Sequence, residues 1–300
     1  MAVAHDAATE SSTWTTTPDP FTFAHTPTGT PRGVLVLIVH QQSSDEIDGV
    51  VSYGGLAMAR IVTAADTAGE ESRSYAYFLG EGVPAGVQTV SIAHASTASA
   101  TKKAVCITVT AAGDTEIGAS GVDQENQANP AVVLDTTTES SLRYCCIFSG
   151  LPEPTDLTML SGMTAVHDLD RGTNVDRQDR QTSAASGSFT IGYTSASDDV
   201  AMVAVAIQEI GRYFPFFVAG LTDVGLLMNA SKTAITKLRG TNNGTSSLVL
   251  QLKSGANTYD LTVPADGVRT ELILSPTISI TEEDSENWLG AIDSLTIRPS

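Results

Sequence analysis

Apolar and polar side chains alternate along much of the first two thirds of the chain, and short uninterrupted apolar runs interrupt the alternation. In FTFAHTPTGTPRGVLVLIVH, residues 21–40, Phe21 and Phe23 alternate with polar residues, TPTGTPRG supplies turn residues, and a run of β-branched and leucine residues follows. Period-two alternation is typical of a half-buried strand, and a short apolar run bounded by turn residues is typical of a fully buried one. The segment predicts a strand, a turn and a buried strand.

Comparable segments recur at fairly regular spacing. They are VVSYGGLAMARIV, SRSYAYFL, VQTVSIA, KAVCITVT, LRYCCIFS and GSFTIGYTSASDDVAMVAVAI. The pattern between Phe21 and Ile210 indicates no long amphipathic helix. We therefore predict an all-β protein built from β-sandwiches, with jelly-roll or Greek-key connections.

Shifts in composition predict three segments. Residues 1–20 are rich in Thr, Ser, Ala and Pro without periodicity, which predicts an extended N-terminal arm. Residues 21–210 carry the pattern of a large β-sandwich domain. Residues 211–300 restart the pattern after the aromatic segment GRYFPFFVAG, which predicts a small C-terminal β-sandwich domain. Such an aromatic cluster is typical of a core between domains, and secondarily of an exposed adhesive patch.

Two adjacent glycines, Gly54 and Gly55, raise the question of a phosphate-binding loop. A dinucleotide site or a P-loop needs glycines after a strand and directly before a helix. The segment YGGLAMARIV has no third glycine and no Lys followed by Ser or Thr. The two glycines are therefore predicted to form the turn of a hairpin.

Charge and cysteine content narrow the class of protein. The chain has 16 Lys and Arg against 34 Asp and Glu, a formal net charge of -18, which disfavours a phosphate backbone as partner and favours solubility at high local density. The apolar runs are shorter than the roughly 20 residues of a membrane helix. We expect a soluble protein without nucleic-acid or membrane partners.

Cys106 and the neighbours Cys145 and Cys146 are predicted to be free buried thiols, which fits synthesis in a reducing cytoplasm.

Candidate catalytic and metal-binding residues form no recognised pattern. The five histidines lack zinc spacing, and no serine lies in a G-x-S-x-G elbow. Four carboxylates are close enough in sequence for a calcium loop but depart from the EF-hand spacing and are interleaved with arginines; they are Asp168, Asp170, Asp176 and Asp179. We expect no cofactor, no metal site and no enzymatic activity. An enzyme that processes extracellular glycans is therefore the least favoured functional hypothesis, behind the two non-enzymatic hypotheses given at the end of this section.

A segment of unusual length is the first candidate for partner contacts. Residues 151–187 exceed an ordinary hairpin connection, and long loops in compact domains are commonly functional or mobile. The alternating charges of DLDRGTNVDRQDR can be solvated by water or ordered by a partner surface. This loop contributes the candidate contact residues Asp168, Arg171, Arg177 and Arg180.

Aromatic residues supply the other contact candidates. Trp14, flanked by threonines, would anchor the arm on a neighbouring subunit, with Phe21 at the end of the arm; alternatively Trp14 folds back on its own domain. The arm is expected to be disordered in the isolated protein, because its few apolar side chains do not offset the entropy of ordering. Trp288 stands beside the acidic cluster ITEEDSENW, which predicts a solvated turn or an interface anchor.

Five phrases, in their order along the chain, resemble a β-sandwich domain of tailed-phage and prophage virion proteins. They are FTFAHTPTGTPRGVLVLIV, VVSYGGLAMARIV, YAYFLGEGVPAGVQTVSI, ASGVDQENQAN and GSFTIGYTSASDDVAMVAVAI. The resemblance covers roughly residues 20–210, and the remaining part is similar to small sandwiches appended to phage fibres and head decorations. It implies a structural role in the virion without catalysis.

The resemblance leads to a specific expectation about partners. The leading hypothesis is a capsid decoration or cement protein that attaches to the shell of major capsid protein or to other virion proteins, forms homo-oligomers and is assembled in the host cytoplasm. The alternative is a tail or head fibre, or receptor-binding protein, that recognises carbohydrate of the host surface.

Overall fold

Strands are the only regular elements in the described part of the computed structural model, so the predicted all-β class is confirmed. The described residues are 3–14, 18–42, 44–47, 49–67, 72–94, 102–111, 113–136, 141–149, 157–170, 175–182, 187–209, 213–216, 221–228, 234–242, 245–265, 269–279 and 294–299. Packing divides the chain into two units, residues 1–209 and residues 210–300, and each is described by itself.

The first unit is built from two successive sets of strands. The first set is β1 (Ala4–Glu10), β2 (Phe21–His25), β3 (Gly33–His40), β4 (Val51–Tyr53), β5 (Leu56–Ala57), β6 (Ala59–Ala65), β7 (Arg73–Leu79), β8 (Gln88–Ile92) and β9 (Lys102–Thr110). The second set is β10 (Thr115–Gln127), β11 (Ala131–Thr136), β12 (Leu142–Ser149), β13 (Thr158–Met159), β14 (Met163–Asp170), β15 (Val175–Thr182), β16 (Gly187–Thr194) and β17 (Asp198–Glu209).

The two sets repeat one topology. Inner sheet 1 has the order β1-β9-β3-β7-β6, and inner sheet 2 has the matching order β10-β17-β12-β15-β14. Outer sheet 1, β2-β8-β4-β5, corresponds in the same way to outer sheet 2, β11-β16-β13. Within each set the chain passes back and forth between two facing antiparallel sheets, which is the connectivity of a jelly roll. We call the sets jelly roll 1 (residues 4–110) and jelly roll 2 (residues 115–209).

The two jelly rolls stack as four layers, with their inner sheets face to face. On β3, Leu35 and Leu37 pack in the core between the two inner sheets, whereas Val36 and Ile38 pack under outer sheet 1. Successive side chains of a strand point to opposite faces, so β3 contributes to two cores at once. Ser74 of β7 also donates a hydrogen bond across the layers to the carbonyl oxygen of Ala201, at 2.7 Å.

Jelly roll 2 divides its side chains in the same manner. On β12, Cys146 and Phe148 belong to the core between the inner sheets, whereas Cys145 and Ile147 belong to the core under outer sheet 2. All three cysteines are free and buried, as predicted. Strands buried on both faces need no polar positions, which explains the uninterrupted runs GVLVLIV and VAMVAVAI. Where one large sandwich was expected over residues 21–210, the structure has two stacked jelly rolls.

Residues 4–10 form an edge strand where the sequence predicted an extended arm. β1 pairs antiparallel with β9, from Ala4 opposite Thr110 to Glu10 opposite Val105. Pairing with β9 satisfies backbone groups that a free arm would leave to water, although few β1 side chains are apolar. The described part of residues 1–20 is therefore ordered within jelly roll 1 and does not await a partner.

Residues 151–187 also differ from the prediction. In place of one long loop, their described part contains β13, the hairpin of β14 and β15, and the start of β16. The charged segment that suggested a loop lies largely in this hairpin, which extends inner sheet 2 beside β12.

The turn at Gly54 and Gly55 is confirmed. Ser52 pairs with Ala57 and Tyr53 with Leu56, which leaves a two-residue loop between β4 and β5. The two glycines have φ values of 56° and 83°, and positive φ at both central positions is the requirement of a type I′ hairpin turn.

The second unit contains a further seven strands in its described part: β18 (Tyr213–Phe216), β19 (Thr222–Met228), β20 (Ala234–Thr241), β21 (Leu248–Ser254), β22 (Asn257–Val263), β23 (Arg269–Ser279) and β24 (Ser294–Pro299). They form the sheets β18-β19-β20-β23 and β22-β21-β24. Leu238 of β20 and Leu250 of β21 belong to one core, so the two sheets share it. Residues 210–212, at the predicted domain boundary, lie outside the described residues.

Candidate functional site

Three basic side chains stand in a row at the end of jelly roll 1. The register places His40, the last residue of β3, opposite Lys102 of β9 on one side and opposite Arg73 of β7 on the other. Directly opposed residues of neighbouring strands carry their side chains on the same face of the sheet. Here that face is the one covered by outer sheet 1.

The connection from β3 to β4 brings a carboxylate to this row. One oxygen of Glu46, Oε2, lies 3.2 Å from Lys102 Nζ and 3.3 Å from His40 Nε2. The hydroxyl of Ser44 donates a hydrogen bond to the other oxygen, Oε1, at 3.0 Å. The side chains of Lys102 and His40 have no solvent-exposed surface, and that of Glu46 is 8% exposed. We call Glu46, Lys102 and His40 the buried triad.

A second carboxylate fastens the same loop. Asp45 Oδ2 forms an ion pair with Arg60 of β6 at 2.6 Å. Arg60 also donates a hydrogen bond to the carbonyl oxygen of Ile47 at 3.0 Å, and its guanidinium carbon lies 5.7 Å and 5.8 Å from the ring centroids of Tyr75 and Tyr77. Residues 44–47 are thus held over the end of jelly roll 1 by two acidic side chains.

Burial controls the protonation of the triad. Burial lowers the pKa of His40 from 6.5 to about 3, and the positive charges of Lys102 and Arg73 act in the same direction, so the imidazole is neutral at neutral pH. Burial also lowers the pKa of the Lys102 amine, while the Glu46 carboxylate opposes this change. Burial therefore favours the uncharged forms of His40 and Lys102, and the triad has little surface in contact with solvent.

A different polar network holds β1 to the rest of jelly roll 1. The Asp6 carboxylate accepts hydrogen bonds from the backbone N–H groups of Thr28 and Gly29, at 3.2 Å and 2.7 Å, and from the Thr108 hydroxyl at 2.8 Å. Burial alone would raise the pKa of Asp6, but these hydrogen bonds favour the carboxylate and leave the pKa below its usual value. The network fixes the turn between β2 and β3.

Histidines extend this network. His25 contacts the hydroxyls of Thr9 and Thr108 through its two ring nitrogens, at 2.9 Å and 3.1 Å. His5 lies 2.8 Å from the hydroxyl of Tyr144 on β12 and so connects β1 to jelly roll 2. Burial lowers the pKa of both histidines.

The predicted contact residues are not brought together. Trp14 and Phe21 are buried in jelly roll 1, so Trp14 folds back on its own domain and offers little surface to a partner. In the β14–β15 hairpin Asp168 stands opposite Arg177, and the side chain of Arg180 is half-buried. Arg171 and Trp288 lie outside the described residues.

The sequence pattern missed the buried triad, although a signal was present. His40 ends the apolar run GVLVLIVH, and Lys102 begins the run KKAVCITVT. The side chain of His40 lies on the same face of its strand as that of Ile38, and the side chain of Lys102 on the same face as that of Ala104. This is the face covered by outer sheet 1. A charged residue at an apolar position of a strand indicates a buried partner, but the position of Glu46 in a loop could not be read from periodicity.

Comparisons with known families, curated proteins and solved structures gave no match to this chain. Within the described ranges, His, Cys, Asp and Glu residues form no group of three that could hold a metal ion. Nor does this part of the chain contain a helix long and apolar enough to cross a membrane.

Proposed function

We propose that the chain is a non-enzymatic structural protein of a tailed-phage virion, attached as a decoration or cement protein to the shell of major capsid protein. The proposal is supported by the resemblance of residues 20–210 to virion sandwich domains and by the stacked jelly rolls. Jelly rolls recur in viral capsid and lectin domains, which is an argument from analogy of fold.

The observation that carries the proposal is the outer face of outer sheet 1. Thr22, Ser91 and Ser52 stand side by side across β2, β8 and β4, and Ala57 continues the row on β5. These side chains are small and uncharged in a protein whose formal net charge is -18. Uncharged side chains cost less to desolvate than charged ones, and the centres of protein interfaces are depleted of charge.

The opposite face of the stack is a useful contrast. On outer sheet 2 the exposed Asp135 lies opposite Ser188, so that face carries a charge where outer sheet 1 carries none. Outer sheet 1 is therefore our candidate for the surface that contacts the shell. The β14–β15 hairpin, at the edge of inner sheet 2, is the candidate contact between copies, because edge strands offer unpaired backbone groups.

A fibre or receptor-binding protein is the second candidate function. The same row of hydroxyl side chains offers donors and acceptors to the hydroxyls of a host glycan, and lectins share the jelly-roll architecture. The two functions differ in copy number, because a decoration protein accompanies every part of the shell whereas a fibre is present in few copies.

Quantitative densitometry of purified particles tests the proposal directly. A copy number comparable to that of the major capsid protein is expected, and a few copies per particle would favour the fibre. Thr89 is exposed on the same face of β8 as Ser91, opposite Ala24 of β2. For the surface itself, Thr22→Glu combined with Thr89→Glu should weaken binding to undecorated particles. Thr262→Glu, an exposed position on β22, is the matched control. Equal binding of both variants would remove outer sheet 1 from the proposal.

A further inference from the structure

The buried triad contains the reactants of an amide bond. The Lys102 amine and the Glu46 carboxyl group lie side by side, with 3.2 Å between Nζ and Oε2. Groups held at such a distance react with effective concentrations of roughly 10⁵–10⁸ M when they are well oriented. Proximity alone is common in ion pairs, so the environment of the pair decides whether it can condense.

Hydrogen bonding within the triad is incomplete. Both ring nitrogens of His40 are buried, and neither makes a contact with hydrogen-bond geometry to the part of the chain that the structure describes, whereas Glu46 Oε2 faces the Lys102 amine as an ion pair. Buried polar atoms in native proteins are nearly always hydrogen-bonded, and an exception requires an explanation. A role in proton transfer would explain the exception at His40.

Condensation also requires an uncharged amine and an uncharged acid. Two buried charges of opposite sign lose their hydration, and the cost approaches or exceeds their mutual attraction. Transfer of one proton from the ammonium to the carboxylate leaves a neutral amine beside a neutral acid, which is the pair that can condense. The low pKa of His40, about 3, keeps its imidazole neutral, and this weak base can accept a proton only transiently, from the positively charged nitrogen that the attack produces.

We propose that Lys102 and Glu46 form an intramolecular isopeptide bond, with His40 as the catalytic residue that transfers the proton. Lys102 Nζ attacks Glu46 Cδ and forms the N–C bond. His40 Nε2 takes a proton from the nitrogen and returns it to the departing oxygen, the C–O bond breaks, and one water molecule leaves. No oxidant, metal or other reactant is needed.

The product would connect the start of β9 to the loop that closes jelly roll 1. Loop 44–47 would then be attached covalently as well as by Arg60. Such a bond suits a protein exposed to mechanical or proteolytic stress, but the inference does not depend on the proposed virion function.

The chain offers an internal control in the neighbouring residue. Lys103 Nζ lies 3.2 Å from Glu10 Oε2, the same distance as in the triad, but the side chain of Glu10 is 51% exposed. The side chain of Lys103 is only 7% exposed, but the Glu10 carboxylate stays in contact with water, so no condensation is expected between Lys103 and Glu10. The comparison separates the effect of burial from the effect of distance.

Intact mass spectrometry of the denatured full chain is the decisive experiment. We expect a mass lower than the sequence mass by one water molecule. After trypsin digestion, the segments 33–60 and 74–103 should be recovered as one branched species joined at Glu46 and Lys102. An unchanged mass after prolonged incubation of folded protein, with the two segments recovered separately, would overturn the proposal.

Four variants test the assignment of roles. Lys102→Met and Glu46→Ala should both restore the full sequence mass, whereas Glu10→Ala should keep the loss of water. Replacement of His40 by Phe should slow the loss of water in a folded protein, as judged by circular dichroism; unchanged kinetics would remove His40 from the mechanism. If a variant fails to fold, the mass of the protein without substitutions still decides whether the bond exists.

Discussion

The indole of Trp14 lies flat on the ring of Phe21, with ring centroids 4.3 Å apart and planes inclined by 4°. Both side chains are buried, and the backbone of Trp14 exchanges hydrogen bonds with Lys102 at 3.1 Å and 2.9 Å. These backbone hydrogen bonds join the N-terminal segment to the start of β9, next to the buried triad, and the ring stack joins it to β2. A residue that looked like an anchor for a partner is part of the protein's own core.

Replacement of Trp14 by Ala should destabilise the protein. Removal of a buried Trp or Phe side chain typically costs about 3–5 kcal/mol, and Trp14→Phe should retain most of the stack and lose less. Thermal and chemical unfolding of the full chain measure the difference. Unchanged stability combined with reduced binding to particles would instead indicate an exposed anchor.

Asp6 should make the free energy of unfolding depend on pH in the acidic range. Because its pKa is lowered in the folded protein, its contribution is present above the unfolded value of about 3.9 and is lost as the pH falls through the lower folded value. Asp6→Asn should cost about 1–2 kcal/mol at pH 7 and less at pH 2, because protonation of the carboxylate in the unsubstituted protein removes the same interactions. Denaturant titrations at both pH values measure this, with the exposed Asp135→Asn as control. An equal loss at both pH values would show that charge is not involved.

His40 should make the stability of the protein depend on pH over a different range. Its pKa is 6.5 in an ordinary environment and about 3 in the fold. Between these values the unfolded chain binds more protons at this residue than the folded chain, so stability falls as the pH falls, by up to about 1.4 kcal/mol per pH unit.

The variant His40→Gln should remove this part of the slope. His5 and His25, whose pKa values are also lowered, remain in both proteins and cancel in the comparison. Unfolding free energies measured between pH 6.5 and pH 4 give the two slopes. Identical slopes would mean that His40 binds protons equally in the folded and the unfolded chain, so that its pKa is not lowered by folding.

Fragments should reveal which layers depend on one another. Residues 1–209 are expected to give a soluble β-rich protein, because both jelly rolls and their shared core are retained. Residues 1–110 alone should aggregate, because inner sheet 1 would expose Leu35, Leu37 and Ile107, which are fully buried in the stack. Circular dichroism and size-exclusion chromatography distinguish these outcomes. A folded, monomeric fragment 1–110 would show that jelly roll 1 does not need its neighbour.

The sequence by itself determined the strands and several turns. Alternation of side chains and β-branched runs reflect local geometry, so β2, β3, β9 and β17 could be located from periodicity. Gly54 and Gly55 could be assigned to a hairpin because few residues accept positive φ at both positions of such a turn. The three free cysteines followed from their positions within apolar strands.

Only the tertiary structure decided how these strands are combined. A run such as GVLVLIV indicates that a strand is buried on both faces, but it does not indicate which sheets cover the strand. The four layers and the repeated topology were therefore not apparent from the sequence. The edge strand β1 is polar enough to resemble an arm, and pairing with the distant strand β9 decided its structure. The charged hairpin of β14 and β15 resembles a loop, and pairing of β15 with β12 made it part of inner sheet 2. The buried triad combines β3, β9 and a loop, and the long-range contacts that bring its charges together leave no period in the sequence.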